Sequence, residues 1–470
     1  MHLRRLLPLV VAAAASACAH STTAPKTAPA AVAKPPTDGK PVLAGLHFAI
    51  QSFTLDNGLR VVLVPDHASP TVAVGVYYHI GFRVEPRDRT GFAHLFEHMM
   101  FQGSPNLGKL QLAGLISSNG GALNGTTRFD FTNYFEVVPA NTLETVLWAE
   151  ADRMRGLVVD DATLAKQKSI VLNEVRLNVL NKPYGGWPWL IVPQQANQNW
   201  YNAHNFYGDG KDIERATLAE VQQFFHQYYL PNNAALVIVG DFNPAVVQGW
   251  VRIFFGSVSR GAPVARPDLQ EPRQEQPIVA ERVDKLAKRP ALAVAYHLPP
   301  RNSPAFYAFA LIDQILRQGH DSWLYRSLVR DKGLTAQLDG GINLLGNQFD
   351  YFGPMLWIVS AFYDSDKQPD ELVAAIDAAI APLRDQPVSA ATLARARVKM
   401  RSYLYGLVEE NQRVSLLSML AAFALFDDDA AALNRLESEL MKVTPELIQF
   451  TAREYLRPTN RTISKLNVVK

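Results

Sequence analysis

Four short stretches from the first half of this chain return, altered but in the same order, in the second half. "VGVYYHI" (Val74 to Ile80) is echoed by "AVAYHLP" (Ala293 to Pro299), and "HLFEHMMFQG" (His94 to Gly103) by "ALIDQILRQG" (Ala310 to Gly319). "TLAKQKSIVLNEV" (Thr163 to Val175) is echoed by "TLARARVKMRSYL" (Thr392 to Leu404), and "YYLPNNA" (Tyr228 to Ala234) by "EYLRPTN" (Glu454 to Asn460). Ordered recurrence of this kind reads as an internal duplication. It narrows the fold more than any other feature, because what one half builds the other must repeat. A chain of 470 residues is also too long for one hydrophobic core, which agrees with two.

Local patterns set the class. Asp56-Asn57-Gly58 is a turn signal before the β-branched run Leu59 to Val64, so a hairpin is expected. Thr71 to Ile80 reads as a buried strand, followed by the helix carrying "HLFEH", an alternating strand through "RFDFTNYFEVVP", and helices to about Leu180. The expected architecture is α+β: two homologous halves, each an antiparallel-rich sheet with helices packed on it. The first half spans 46–260, a polar, proline-bearing linker 261–287, and the second half 288–470.

Ahead of the halves lie Arg4 and Arg5, then the apolar run Leu6 to Ala17. That run is too short for a permanent membrane span and reads as a signal peptide over 1–18. Cys18, the sole cysteine, follows "ASA" and resembles the lipidated residue of a bacterial lipobox. Residues 19–45 form an Ala-, Pro- and Thr-rich tether. The expected location is therefore the periplasm, with membrane attachment only through a lipid on Cys18. A net charge of +2 gives no electrostatic case for nucleic acid.

"HLFEH" (His94 to His98) is the segment with chemistry in it. Thr90 is placed to cap a helix through Met100, with Gly103 as its stop. Residues i and i+4 share a helical face, so His94 and His98 aim at one point, a spacing that suits zinc. Glu97, beside the second histidine, is close enough to take a proton from an activated water. Spacing leaves the third ligand open among Glu136, Glu144, Glu150 and Glu174; the apolar stripe of Val171, Leu172 and Val175 favours Glu174 pointing inward. The second half keeps the scaffold without the chemistry: Ala310, Asp313, Gln314 and Tyr403 stand where His94, Glu97, His98 and Glu174 stand in the first.

H-x-x-E-H, with a glutamate at the distance of Glu174, resembles the signature of the pitrilysin (M16) family of zinc metallopeptidases, in its short bacterial form like mitochondrial processing peptidase. The likeness runs from about Gln51 to the C-terminus, and "GGALNGTTRFDF" resembles that family's G-G-x-x-N-A-x-T segment. It implies a clamshell of two homologous halves and one zinc per chain, held by His94, His98 and Glu174 with Glu97 as catalytic base. The substrate is then a peptide, with Asn124 near the scissile bond and the following strand an exposed edge for pairing with its backbone.

Departures from the pattern matter as well. Gly125 replaces the usual alanine, and Gln167 stands where a supporting glutamate is common. Arg330, in "LVRDKGLTAQLDGG", matches the family's substrate-binding arginine, but Ala336 occupies the position of its tyrosine. Either Tyr325 substitutes within this chain, or, as the resemblance to heterodimeric relatives implies, a second subunit of the same kind supplies the arginine and tyrosine. The alternative is a catalytically impaired clamshell that binds peptides or scaffolds a complex. A zinc-buffering protein is disfavoured by the absence of a His-rich tract. The aromatic group around Trp187 and Trp189 suits ordinary packing better than a chamber wall.

Overall fold

The computed structural model describes residues 45–410 and 412–469. The expected signal peptide, Cys18 and all but the last residue of the tether lie outside them.

The duplication appears as two sheets with one topology. The first sheet runs β1-β2-β6-β3-β5-β4, built from β1 (Gln51–Thr54), β2 (Arg60–Pro65), β3 (Thr71–Tyr78), β4 (Ala122–Thr127), β5 (Thr132–Pro139) and β6 (Ala234–Gly240). The second runs β7-β11-β8-β10-β9, from β7 (Ile278–Asp284), β8 (Ala291–His297), β9 (Asp339–Ile342), β10 (Leu356–Phe362) and β11 (Arg461–Val468). Apart from β1, the strands correspond one for one, including the single parallel pair in each, β2 with β6 and β7 with β11. The expected α+β class and its two homologous halves are the architecture found. β1 and β2 form the hairpin set by Asp56-Asn57-Gly58, with Thr54 opposite Arg60.

The linker expected over 261–287 is shorter than its polarity suggests, because β7 occupies Ile278–Asp284. β7 is an edge strand whose alternate residues Val279, Glu281 and Val283 face outward, so Glu281 sits in it exposed. Such a strand carries the composition of a loop.

Strand alternation explains why the halves fuse. On one face of the first sheet Val61, Leu63, Val72, Val74, Leu236 and Ile238 pack on that half's own helices, among them α3 (Leu143–Arg155). The other face, with Val62, Val64, Tyr77, Val237 and Val239, is equally apolar and cannot be left in water. It is covered by the helix Val414–Phe426 of the second half, which is apolar almost all round and buried on every side. The reverse also holds. Ala291, Ala293 and Ala295 leave a shallow face on the second sheet, and Trp187, Val192 and Ala196 of the first half fill it. The Trp187 indole N–H donates to Ser464 Oγ at 3.3 Å, so packing accounts for this tryptophan as the sequence suggested.

One buried ion pair fastens the seam. Arg83 Nε lies 3.2 Å from Asp130 Oδ1, both side chains almost wholly buried. Across the seam, Asp130 accepts the N–H of Phe352 at 2.7 Å, and Arg83 donates to the Pro354 carbonyl at 2.6 Å.

Candidate metal centre

The histidines ride on α1 (Phe92–Met99), packed over β4 and β5. Its apolar residues Phe92, Leu95, Phe96 and Met99 are all buried, which fixes the opposite face toward the site. The cap differs from expectation. Gly91 is the N-cap residue at φ +83°, and Glu85 satisfies the helix start by accepting from Gly91 N (2.8 Å) and Ala93 N (2.5 Å). Thr90 is used elsewhere: its hydroxyl donates to Asp212 and accepts from Asp209 N. A Cβ at position 91 would lie 2.7 Å from the Tyr207 carbonyl, so glycine is required twice over, for its φ and for its space.

Glu174 comes from the last turn of α4 (Asp161–Val175), which Asp160 caps through Thr163 N. The chain continues as a wider helical turn over Arg176–Leu180. α1 and α4 pack together, and Glu174 Oε1 lies 3.7 Å from His94 Nε2 while Oε2 lies 3.3 Å from His98 Nε2. One donor atom from each of the three falls within 4.8 Å of the others, the only such group among the described residues. Of the other carboxylates considered, Glu136 and Glu150 are buried around Arg153, and Glu144 is exposed on α3. Two imidazoles and one carboxylate, converging in this way, fit a divalent zinc ion with a coordination position to spare.

Electrostatics keep His94 and Glu174 in ligand form. Burial, only partly offset by the Glu174 carboxylate, pushes His94 down to about 4, so its imidazole is neutral near pH 7. The hydrogen bond from His98, opposed by burial, holds Glu174 below the usual carboxylate range. Glu97 does not join the ligands. Thr127 Oγ1 donates to its Oε2 at 2.7 Å, while burial raises its proton affinity above that of an ordinary glutamate. A carboxylate of raised basicity, held in place by Thr127 on the helix that carries both histidines, is suited to accept and return a proton.

Asn124 stands exposed on β4, its Oδ1 accepting the N–H of Gly125. β4 itself is the edge of the sheet, and β5, the strand expected there, is enclosed between β4 and β3. Asn124 therefore belongs to the edge instead of preceding it. Gly125 lies directly against Glu97: a Cβ there would meet Glu97 Cγ, Phe101 Cε2 and Tyr134 Cδ1, each at 3.2 Å. Gln167 is buried two turns before Glu174, and no hydrogen bond joins it to the three ligands.

The second half brings no comparable chemistry. Arg330 is exposed and pairs with Asp331 at 2.8 Å, with no contact to His94, His98, Glu97 or Glu174. Ala336 is exposed, and Tyr325 stacks on His320. Asp313, the counterpart of Glu97, is committed to Arg317 and to the Trp357 indole N–H.

Three residues around the candidate site carry roles that the sequence did not assign. Tyr207 lies edge-on to His94, ring centroids 5.2 Å apart, and is backed by Phe82 and by half-buried Trp189. Thr127 and Glu85 position the base and the helix. Tyr207 and Glu85 have no motif; Thr127 is the threonine of the G-G-x-x-N-A-x-T-like segment, which gave it no role beside Glu97.

Residues 60–183 match the family model described as insulinase (peptidase family M16), and 215–400 match that of the peptidase M16 inactive domain. Zinc protease PqqE of Helicobacter pylori is 24% identical over 419 residues, covering 88% of this chain and 91% of the relative. The uncharacterized zinc protease YmxG of Bacillus subtilis is 23% identical over 293 residues, 61% of this chain and 68% of that one. In fold, a protease from Helicobacter pylori superposes with a TM-score of 0.80 at 24% identity, covering 89% of this chain and 99% of that chain. The periplasmic protease PqqL from Escherichia coli superposes with a TM-score of 0.72 at 17% identity, over 90% of this chain but 48% of its own length.

Proposed function

Since this chain belongs to the M16 family of peptidases, we propose that it is a zinc-dependent endopeptidase whose metal is held by His94, His98 and Glu174. The observation that carries this reading is the convergence of those three side chains beside Glu97. Zinc supplies Lewis acidity for hydrolysis of the peptide bond. Glu97 takes the proton of the attacking water and passes it to the leaving amine, held in line by Thr127. The free edge of β4, bearing Asn124, hydrogen-bonds to the backbone of an extended peptide, which gives affinity without sequence selectivity.

The carbonyl-binding groups are supplied by a partner subunit. Arg330 is tied to Asp331 at the surface, and Ala336 offers no hydroxyl. The lone chain is expected to bind one zinc but to cleave a quenched peptide about a hundredfold slower, or worse, than the assembled enzyme, the usual effect of missing oxyanion donors. Full activity in a monodisperse, partner-free preparation would refute this. The rival reading, a peptide-binding clamshell, predicts no hydrolysis in any assembly.

The same proposal takes the chain to the periplasm, tethered by lipid on Cys18. It is supported by the Arg4-Arg5 segment and the short apolar run before the cysteine. Cys18→Ser should shift the protein from the membrane pellet to the soluble fraction; an unchanged distribution rules the anchor out.

A further inference from the structure

The duplication extends to a backbone latch that both halves share. In the first half, Asn233 Nδ2 donates to the carbonyls of His79 (3.4 Å) and Tyr228 (2.8 Å). In the second, Asn460 Nδ2 donates to the carbonyls of His297 (3.1 Å) and Tyr455 (2.7 Å). Each asparagine closes a one-turn 3-10 helix that begins with proline, Pro231–Asn233 and Pro458–Asn460. In the first half the latch also receives an arginine. Arg266, from the connection between the halves, donates through Nη1 to the His79 carbonyl at 2.6 Å and through Nη2 to Asn233 Oδ1 at 2.5 Å.

The corresponding residues of the second half, His297 and Asn460, line a cleft of about 540 Å³. Among the described residues no arginine donates to Asn460 Oδ1 as Arg266 does to Asn233 Oδ1. Gln274 Oε1, also in the lining and buried, is a second acceptor without a donor. The charges of the lining have been assigned with one exception. Both oxygens of Asp427 hold Arg301. Arg273 and Arg457 share Glu454. Glu271 accepts from Gln198 N (2.9 Å), Asn199 N (3.2 Å) and Asn202 Nδ2 (2.6 Å), yet no cation lies within ion-pair distance of it among the described residues. Two buried donors in the lining, Tyr351 Oη and Arg301 Nη2, also lack acceptors, and a side chain made only of donors leaves them so.

We propose that this cleft is a socket for an arginine side chain of a peptide ligand, read by the second-half copy of the latch that Arg266 occupies in the first. The planar guanidinium would donate in a fork to the His297 carbonyl and Asn460 Oδ1, as Arg266 does, with Glu271 as counter-charge. Tyr455, Tyr351 and Pro299 form walls against which its flat faces stack. A lysine, with a point charge and no fork, fits the paired acceptors less well.

The test uses the full chain and N-acetyl-arginine amide as probe, titrated by calorimetry and mapped by NMR shifts, with the neutral isostere N-acetyl-citrulline amide and N-acetyl-lysine amide alongside. One equivalent of the arginine probe should bind, with citrulline about tenfold weaker or more, since a charge-assisted pair is lost. Glu271→Gln should weaken the arginine probe similarly. Arg266→Ala, which opens the first-half latch, should add a second equivalent. Equal binding of arginine and citrulline in the unaltered chain, or shifts that map away from His297 and Asn460, overturns the proposal whether or not the variants fold. None of these readouts passes through the metal, so failure here leaves the peptidase reading untouched, and loss of zinc binding leaves this one untouched.

Discussion

Glu97→Gln should leave one zinc per chain in place and lower peptide hydrolysis by the assembled enzyme by a factor on the order of a thousand, within the range for loss of a positioned general base. The side chain makes one hydrogen bond, from Thr127 Oγ1 to Oε2, which an amide oxygen can still accept. The amide keeps the shape and removes the basicity. Folding should be almost unchanged, because the raised proton affinity of Glu97 shows that its charged form is not favoured by burial. The check is metal content by elemental analysis beside kcat on a quenched peptide. Activity within a few-fold of the parent would remove Glu97 from the mechanism and with it the proteolytic reading.

Glu174→Gln should do the reverse and empty the metal site first. Structural zinc sites hold their ion with about 10–16 kcal/mol, so one of three or four ligands accounts for roughly 3 kcal/mol, on the order of a hundredfold in Kd. Glu174 is half-exposed at the end of α4, and its contacts are to His94 and His98. Thermal stability of the metal-free protein should therefore differ little from that of the metal-free parent. Competition with a chromophoric chelator gives the zinc Kd. An unchanged Kd would mean that the carboxylate is a neighbour of the metal and not a ligand. The pair of variants is diagnostic: one loses turnover and keeps zinc, the other loses zinc and, through it, turnover.

How much of this was legible in the sequence depended on whether a residue's role is carried by its near neighbours. His94, Glu97 and His98 lie within one helical turn and a half, so their common face follows from spacing alone. Glu174 could be preferred from its apolar flanks, but three other glutamates competed until the packing of α1 on α4 separated them. Glu85 was missed because it caps α1 across a loop, where it does the work expected of Thr90. Tyr207 reaches His94 from over a hundred residues away, and nothing local marks it. The strand β7 was taken for linker because an edge strand with one outward face is as polar as a loop, and the edge position of β4 depends on sheet order, which periodicity does not encode. Arg330 matched a motif, yet its surroundings give it an exposed partner in Asp331.

Each half has lent the other its roof: the helix Val414–Phe426 shelters the first sheet, and Trp187 with Val192 and Ala196 shelters the second. Severing the connection between them by protease would accordingly yield two fragments that stay clasped and migrate together until denatured. Neither fragment, produced by itself, has the means to hide its own exposed sheet, so the molecule is made whole or not at all.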